Sequence, residues 1–357
     1  MTAALRHPLA ELFRESARGC RRYGPTNARL LADAADDLEG GGIAAAVMAG
    51  HERDRSGSVP GLRFAAAVHR LVLSGRARSL AGHYATAGGR LDERTLWADA
   101  VPALTEHIDE LRAVIAGTTV QTNEPGRSAP LYGGLLVAAE RAGGLPVRLL
   151  EVGASAGLNL RPHRIRYELA DGTVLGDPRS RFIMDPGWTG LPPAATHRPP
   201  HLIERAACDL APVDVTRPDG VLHLSSFVWP DQLDRLRRLR AAVRLAQLDP
   251  VTVQLADGAS WLSHQLARPR PGVLTVVWHS VVWQYVPASE RARGQQVLAD
   301  AAARATRDAP LALLVYESRR AGAGYRFDLL LRLWPTGLTV CLGHGGGHGI
   351  PFTWAAR

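Results

Sequence analysis

Lysine is absent from this chain: all 42 basic residues are arginine. That absence excludes a Schiff-base lysine, a lysine general base and the phosphate-gripping lysine of a P-loop. Cysteine is scarce as well. Cys20, Cys208 and Cys341 stand far apart and are odd in number. They suggest neither a disulfide framework nor a zinc cluster, and read as isolated buried or half-buried thiols. No apolar run reaches membrane-spanning length. Met1 to Arg14 scatters charges where a signal peptide would carry an apolar core. The expectation is a cytoplasmic protein with no membrane association.

With 357 residues, 46% hydrophobic and 21% charged, the composition is that of a soluble globular protein with room for one large or two ordinary domains. The net charge of +8 accompanies an abundance of Ala, Arg, Gly, Leu and Pro, which looks like codon bias and is weak evidence for nucleic-acid binding. The densest basic run, Arg235 to Arg240, continues to Ala246 with apolar residues at helical spacing. It reads as a sheet-covering helix with a solvated arginine face, or alternatively as a patch for an anionic ligand.

Residues 1 to about 120 look helical throughout. Pro8–Cys20, Thr26–Leu38, Gly61–Leu73, Leu91–Ala100 and Val101–Ala116 carry apolar residues at three- and four-residue spacing, separated by Gly/Pro/Ser punctuation. The expected division is an all-helical N-terminal or cap domain over 1–128 and an α/β domain over 129–357. From Pro146 onward, short β-rich runs alternate with helices. Strands are predicted at Val147–Val152, Leu202–Cys208, Val251–Leu255, Val273–Trp278, Leu311–Tyr316, Phe327–Trp334 and Leu338–Leu342, with helices at Asp231–Gln247 and Ala288–Arg307. A hairpin is expected around Asp171-Gly172 and a loop excursion over 178–200. Alternation closing on a hairpin implies a doubly wound, mostly parallel sheet with an antiparallel edge.

In such sheets ligands bind at the carboxyl ends of the strands, and four strand ends carry polar punctuation. The first is Arg148 to Leu160 (RLLEVGASAGLNL), where Glu151, Gly153 and Gly157 form E-x-G-x-x-x-G between a strand and the expected start of a helix. Small residues let backbone approach a ligand there. The acid disfavours phosphate and suits a hydroxyl or ammonium. The others are Asp209, able to hold two ribose hydroxyls; Asp257 with Gly258 and Ala259, a turn suited to an adenine edge; and His279 after an apolar strand. Each has a plain structural alternative: a tight strand–helix turn, an N-cap or surface salt bridge, a helix-initiating turn, and a satisfied core histidine.

Asn123, Glu124 and Arg127 surround a Pro-Gly turn, either as a substrate site with Glu124 as a base or as an ion pair that fixes the loop. Trp229, Trp283 and Tyr285 form either an aromatic wall or core packing. Glu317 is placed to accept a proton or hydrogen bond from a substrate, or to pair with Arg319 or Arg320. His344 and His348 stand four apart in a glycine-rich tail, without the rigidity of a helix or an evident third ligand, so no metal is expected.

The order of these sites resembles a class I S-adenosylmethionine-dependent methyltransferase over about 146–345, including the terminal β-hairpin. That resemblance implies a Rossmann-like methyltransferase sheet and S-adenosylmethionine as cofactor. Glu151, Gly153, Ser155, Gly157 and Asn159 would lie on the methionine side, Asp209 at the ribose, Asp257, Gly258 and Ala259 at the adenine, and His279 beside the transferred methyl. Over its whole length the chain also resembles an uncharacterised family, a domain of unknown function, through Gln121–Ser128, Phe227–Gln232 and His279–Tyr285.

Three features depart from the methyltransferase pattern. Ser155 stands where glycine is usual, Pro162 shortens the following helix, and Asp209 lies far beyond the usual spacing of about twenty residues. Either 162–200 is an insertion, which is the preferred reading, or Asp171 is the ribose acid. The expectation is an S-adenosylmethionine-dependent methyltransferase acting on a small molecule held between the two halves. The rivals are a nucleic-acid methyltransferase, which the absence of an aromatic-interleaved basic stripe disfavours, and a non-catalytic ligand-binding protein. A nicotinamide enzyme is disfavoured because G-x-G-x-x-G is absent.

Overall fold

Val147–Val152 places apolar residues on both of its faces, with only Arg148 and Glu151 polar, and a strand of that kind is covered on both sides. In the computed structural model, which describes residues 8–117, 120–169, 171–185, 187–194, 197–322 and 324–355, it is a buried interior strand, third from one edge of a nine-stranded sheet. The expectation for residues 1–7 falls outside the described residues. The chain divides into two units, Met1–Thr122 with Thr216–Arg237, and Asn123–Val215 with Arg238–Arg357. The second unit thus begins six residues before the boundary expected from the sequence, and the first recruits a segment from inside the α/β region.

The first unit contains α1 (Pro8–Cys20), α2 (Pro25–Glu39), α3 (Ile43–Val47), α4 (Pro60–Leu73), α5 (Arg78–Ala81), α6 (Leu96–Glu106) and α7 (Ile108–Gly117). The helix expected from Leu91 starts at Leu96. Leu9, Phe13, Leu30, Leu31 and Phe64 form the core, with the Phe13 and Phe64 rings 5.4 Å apart. The recruited segment holds α9 (Pro218–Ser226) and the run Phe227–Gln232. Its conspicuous residues act structurally. Asp231 accepts from Thr26 N at 3.1 Å and Thr26 Oγ1 at 2.8 Å, satisfying a donor in the first turn of α2. Trp229 packs over Gly24, where a Cβ would meet its ring at 2.6 Å.

The second unit opens with α8 (Ser128–Arg141), β1 (Val147–Val152), a small sheet made of β2 (Arg166–Glu168), β3 (Val174–Gly176) and β4 (Ile183–Met184), and β5 (Trp188–Thr189). There follow β6 (Leu202–Asp209), α10 (Leu233–Leu248, which enters this unit at Arg238), β7 (Val253–Leu255), α11 (Gly258–Gln265), β8 (Leu274–Ser280), α12 (Ala288–Ala303), β9 (Leu311–Ala321), β10 (Gly324–Trp334), β11 (Leu338–Gly345) and β12 (Phe352–Trp354). The large sheet runs β5-β12-β11-β10-β9-β8-β1-β6-β7. The five strands from β7 to β9 are parallel, and β9 to β12 form an antiparallel meander. Strand order therefore reverses at β1, where ligands settle in open α/β sheets.

Alternation along the strands separates two covered faces. Leu150, Cys208, Val277 and Leu313 pack with Trp261 and Leu262 of α11 and Ala301 of α12. On the other face α8 approaches closely because it carries glycines: a Cβ on Gly134 would lie 2.9 Å from Leu314 Cδ2, and one on Gly133 2.1 Å from Trp354 Cζ2. Among the described residues, no α-helix links β1 to β6. Two 3₁₀ turns, Leu158–Leu160 and Pro162–Arg164, replace the expected helix, as Pro162 and the αL conformation of Gly157 dictate. The excursion that follows is anchored by aromatic stacking: Tyr167 lies 4.9 Å from Tyr132 and 5.3 Å from Trp188. It also supplies β5 as an edge strand beside β12.

Candidate functional site

The loop after β1 is held by backbone and by one acid. Gly153 N and Ala154 N both donate to Cys208 O, at 3.0 and 3.1 Å. Asp209, ending the strand beside β1, accepts from Ser155 N through Oδ2 (2.7 Å) and from Ala211 N through Oδ1 (2.8 Å). Asp171 instead lies in the β2–β3 turn and accepts from Thr173 N. Gly153 and Gly157 have φ of +71° and +64°, and so does not only glycine: Ser155 sits at +54°, a conformation that costs a side-chain-bearing residue on the order of 1 kcal/mol or more. A Cβ on Gly153 would come within 2.4 Å of Val282 Cγ2.

Two polar atoms in this loop region are buried without a partner: Glu151 Oε2 and Ser155 Oγ. Native proteins seldom leave such atoms unsatisfied. Glu151 is 2% exposed, and burial pushes its carboxyl up to about 8, opposed by the Trp278 indole and the Arg127 guanidinium nearby. Although Trp278 stands directly across from Glu151 in the next strand, its Nε1 is also unpartnered; it lies beside the acid without completing a hydrogen bond.

The segment before α8 braces the same turn. Asn123 Oδ1 accepts from Leu158 N at 3.1 Å, and Asn159 Oδ1 accepts from Ser128 Oγ at 2.8 Å. Arg127 donates to Gly347 O (3.1 Å) and Ser280 O (3.4 Å). Glu124 caps the turn at Pro125–Arg127 by accepting from Gly126 N at 3.1 Å, and its partners in charge are Arg238 at 3.8 Å and His348 Nδ1 at 3.5 Å. An ion pair of the anticipated kind thus joins Glu124 to Arg238. His344 lies on β11 opposite Asp328, and no cluster of three metal-ligating side chains occurs among the described residues.

At the end of β8, His279 Nδ1 lies 2.8 Å from Glu317 Oε1. An ionised carboxylate only accepts, so Nδ1 carries the proton and Nε2 presents a lone pair. The same oxygen accepts from Val282 N (3.0 Å) and Trp283 N (3.2 Å), and Trp283 stacks on the imidazole with centroids 5.0 Å apart. Val281 has φ of +53°, an outlier for a β-branched residue. Nothing in the sequence signals this strain or the seat of Val282 against Gly153.

By strand alternation, His279 shares the face of Val277 and Glu151 the opposite face, at adjoining strand ends. Asp257 caps α11, accepting from Ser260 N at 2.9 Å, and this hydrogen bond holds its carboxyl below the usual range. Gly258 and Ala259 form the first turn of that helix. Leu210 and Leu255, 74% and 76% exposed, lie at the ends of β6 and β7. Tyr285 is exposed, and Trp229 belongs to the helical unit.

Neither a curated protein nor a solved structure matches this chain. A family model described as "Uncharacterized protein conserved in bacteria" matches residues 10–354, and the chain accordingly belongs to that family, DUF2332.

Proposed function

We propose that the second unit is a Rossmann-like, S-adenosylmethionine-dependent methyltransferase acting on a small molecule. The observation carrying this reading is the pair of unpartnered buried atoms, Glu151 Oε2 and Ser155 Oγ, at the point where strand order reverses. An unsatisfied carboxyl and an unsatisfied hydroxyl, four residues apart in the sequence, each suit a ligand bearing a hydroxyl or ammonium, which the methionine and ribose portions both offer. Glu151, Ser155 and Asn159 would hold the methionine side and Asp209 the ribose, in addition to the backbone N–H groups it already accepts. Asp257, Gly258 and Ala259, with the exposed Leu210 and Leu255, would meet the base. Val282 fills the space over Gly153, so that glycine serves packing within the protein as well as the loop's conformation.

When bound, the cofactor supplies an electrophilic methyl group on a sulfonium. The protein's part is alignment, which can supply most of the catalysis of such a displacement, and removal of one proton. His279 Nε2 accepts the proton of the acceptor's hydroxyl or amine, while Glu317 on Nδ1 orients the ring and stabilises the imidazolium. Glu317 is therefore a positioning residue. Asn123, Arg127 and Glu124 shape the loop's underside; Glu124, engaged by both oxygens, is a weaker base candidate than His279.

Calorimetric titration with S-adenosylmethionine and its demethylated product tests the reading. Saturable heat is expected, lost in Gly153→Arg and Asp209→Ala, and reduced in Ser155→Ala, which leaves the backbone contacts in place. No heat with either ligand, from protein shown to be folded by circular dichroism, overturns it.

A further inference from the structure

Three consecutive residues after β8 each take up an unusual position. Val281 has φ of +53°, a region that β-branched residues avoid. Val282 seats its side chain against Gly153, where a Cβ would come within 2.4 Å of Val282 Cγ2. Trp283 lays its ring on the His279 imidazole, with centroids 5.0 Å apart and planes 18° from parallel. Backbone strain of this kind persists only where the surroundings over-determine it, and it gathers at functional sites.

The hydrogen bonds of the turn show what holds it. Val281 N donates to Tyr316 O at 2.9 Å, so the chain stays tied to β9 up to the strained residue. Val282 N and Trp283 N then both donate to Glu317 Oε1, the oxygen that also receives His279 Nδ1. Trp283 thus meets the histidine twice, by its ring directly and by its backbone through the shared carboxylate oxygen. Only the first of these depends on its side chain.

We infer that Trp283 is a positioning residue for His279, and that the strained Val281 is retained because it brings residue 283 back against residue 279. A single hydrogen bond at Nδ1 leaves an imidazole free to tilt about its Cβ–Cγ bond. A nearly parallel ring against its face removes that tilt and fixes the direction of Nε2. The stack also favours the product of proton transfer, since an indole face attracts a cation more strongly than other side-chain rings do. Aliphatic packing would supply neither effect. The inference rests on the reading of His279 as the proton acceptor, but the geometry it concerns needs no cofactor.

Proton and nitrogen NMR of the full chain, without S-adenosylmethionine, tests it. In the wild type the indole should move the His279 ring protons upfield, and the ring nitrogens should report one tautomer with the proton on Nδ1. Trp283→Leu, whose backbone N–H still reaches Glu317, should speed exchange of that proton with water about fivefold and mix the two tautomers. Trp283→Phe keeps a flat ring and should restore both readouts. Trp283 is half-buried in a single 3₁₀ turn, Trp283–Tyr285, and the β8 amides in the same spectra show whether Trp283→Leu remains folded. If it does not, the ring-proton shifts of the wild type decide alone. Unshifted His279 protons, or a Trp283→Leu variant with the wild-type tautomer and exchange rate, overturn the inference. So does Trp283→Phe if it is as defective as Trp283→Leu, which would make bulk the cause. Because no cofactor is present, failure here is distinct from failure of the cofactor titration.

Discussion

The buried histidines of the two units are built on opposite plans. In the helical unit, His69 has both ring nitrogens engaged, Nδ1 with Ser226 O at 3.1 Å and Nε2 with Thr86 Oγ1 at 2.7 Å. His83 likewise lies 2.8 Å from Asp99 and receives Asp92 N. A ring tied at both nitrogens is a structural strut. His279 is tied at Nδ1 alone, and no described residue hydrogen-bonds its Nε2. Exposure does not distinguish these histidines, since all three are buried. What sets His279 apart from the two struts is a ring nitrogen that no described residue engages.

The same contrast extends to pH. Burial raises Glu151 toward 8, so the fold favours its protonated form. Its contribution is complete below about 4.5 and is lost as pH rises through about 8. At about 1.4 kcal/mol per pKa unit, the β1 region should lose on the order of 5 kcal/mol of local stability over that range. Hydrogen exchange of the β1 amides, corrected for intrinsic rates at pH 5 and pH 9, reads the change, and Glu151→Gln should abolish it. A wild-type β1 whose protection is level with pH would break the contrast.

His69 titrates in the opposite sense. Burial pushes it down to about 4, so the fold favours the neutral ring. Stability is complete above about 6.5 and is lost as pH falls toward 4, by on the order of 3 kcal/mol around α4. His69→Asn should be less stable than wild type at pH 7 yet lose less protection on acidification. If both unload equally in acid, His69 is not the titrating strut.

Legibility from sequence followed the range of the interaction. Val147–Val152 and Pro8–Cys20 could be read to the residue because their patterns, a short run rich in Val and Leu and a three-four repeat, report burial locally. Helix α8 went unread: Pro130, Gly133 and Gly134 look like breakers, and the glycines make sense only once Leu314 and Trp354 are known to lie against them. Similarly, β5 is two residues long and exists because a distant strand offers it an edge. The candidate strand ends were all visible as polar punctuation, but their couplings were not. Asp209 reaches Ser155 across 54 residues and His279 reaches Glu317 across 38, distances at which spacing carries no information. The strained Val281 had no signal at all.

The smallest effect separates two roles that sequence reading left superposed. Asp257 is the N-cap of α11, and loss of such a cap costs about 1 kcal/mol. Asp257→Ala should therefore lower stability by that amount, while Asp257→Asn or Asp257→Ser, which cap comparably, should restore it. A role at the adenine edge predicts a different ranking in calorimetry with the demethylated cofactor. Asparagine and serine alter the acceptor that a base amino group would meet, so affinity should fall in both although the helix remains capped. Affinity that simply tracks stability across the three substitutions would leave Asp257 as a cap and confine ligand recognition to the Glu151–Ser155 side and Asp209.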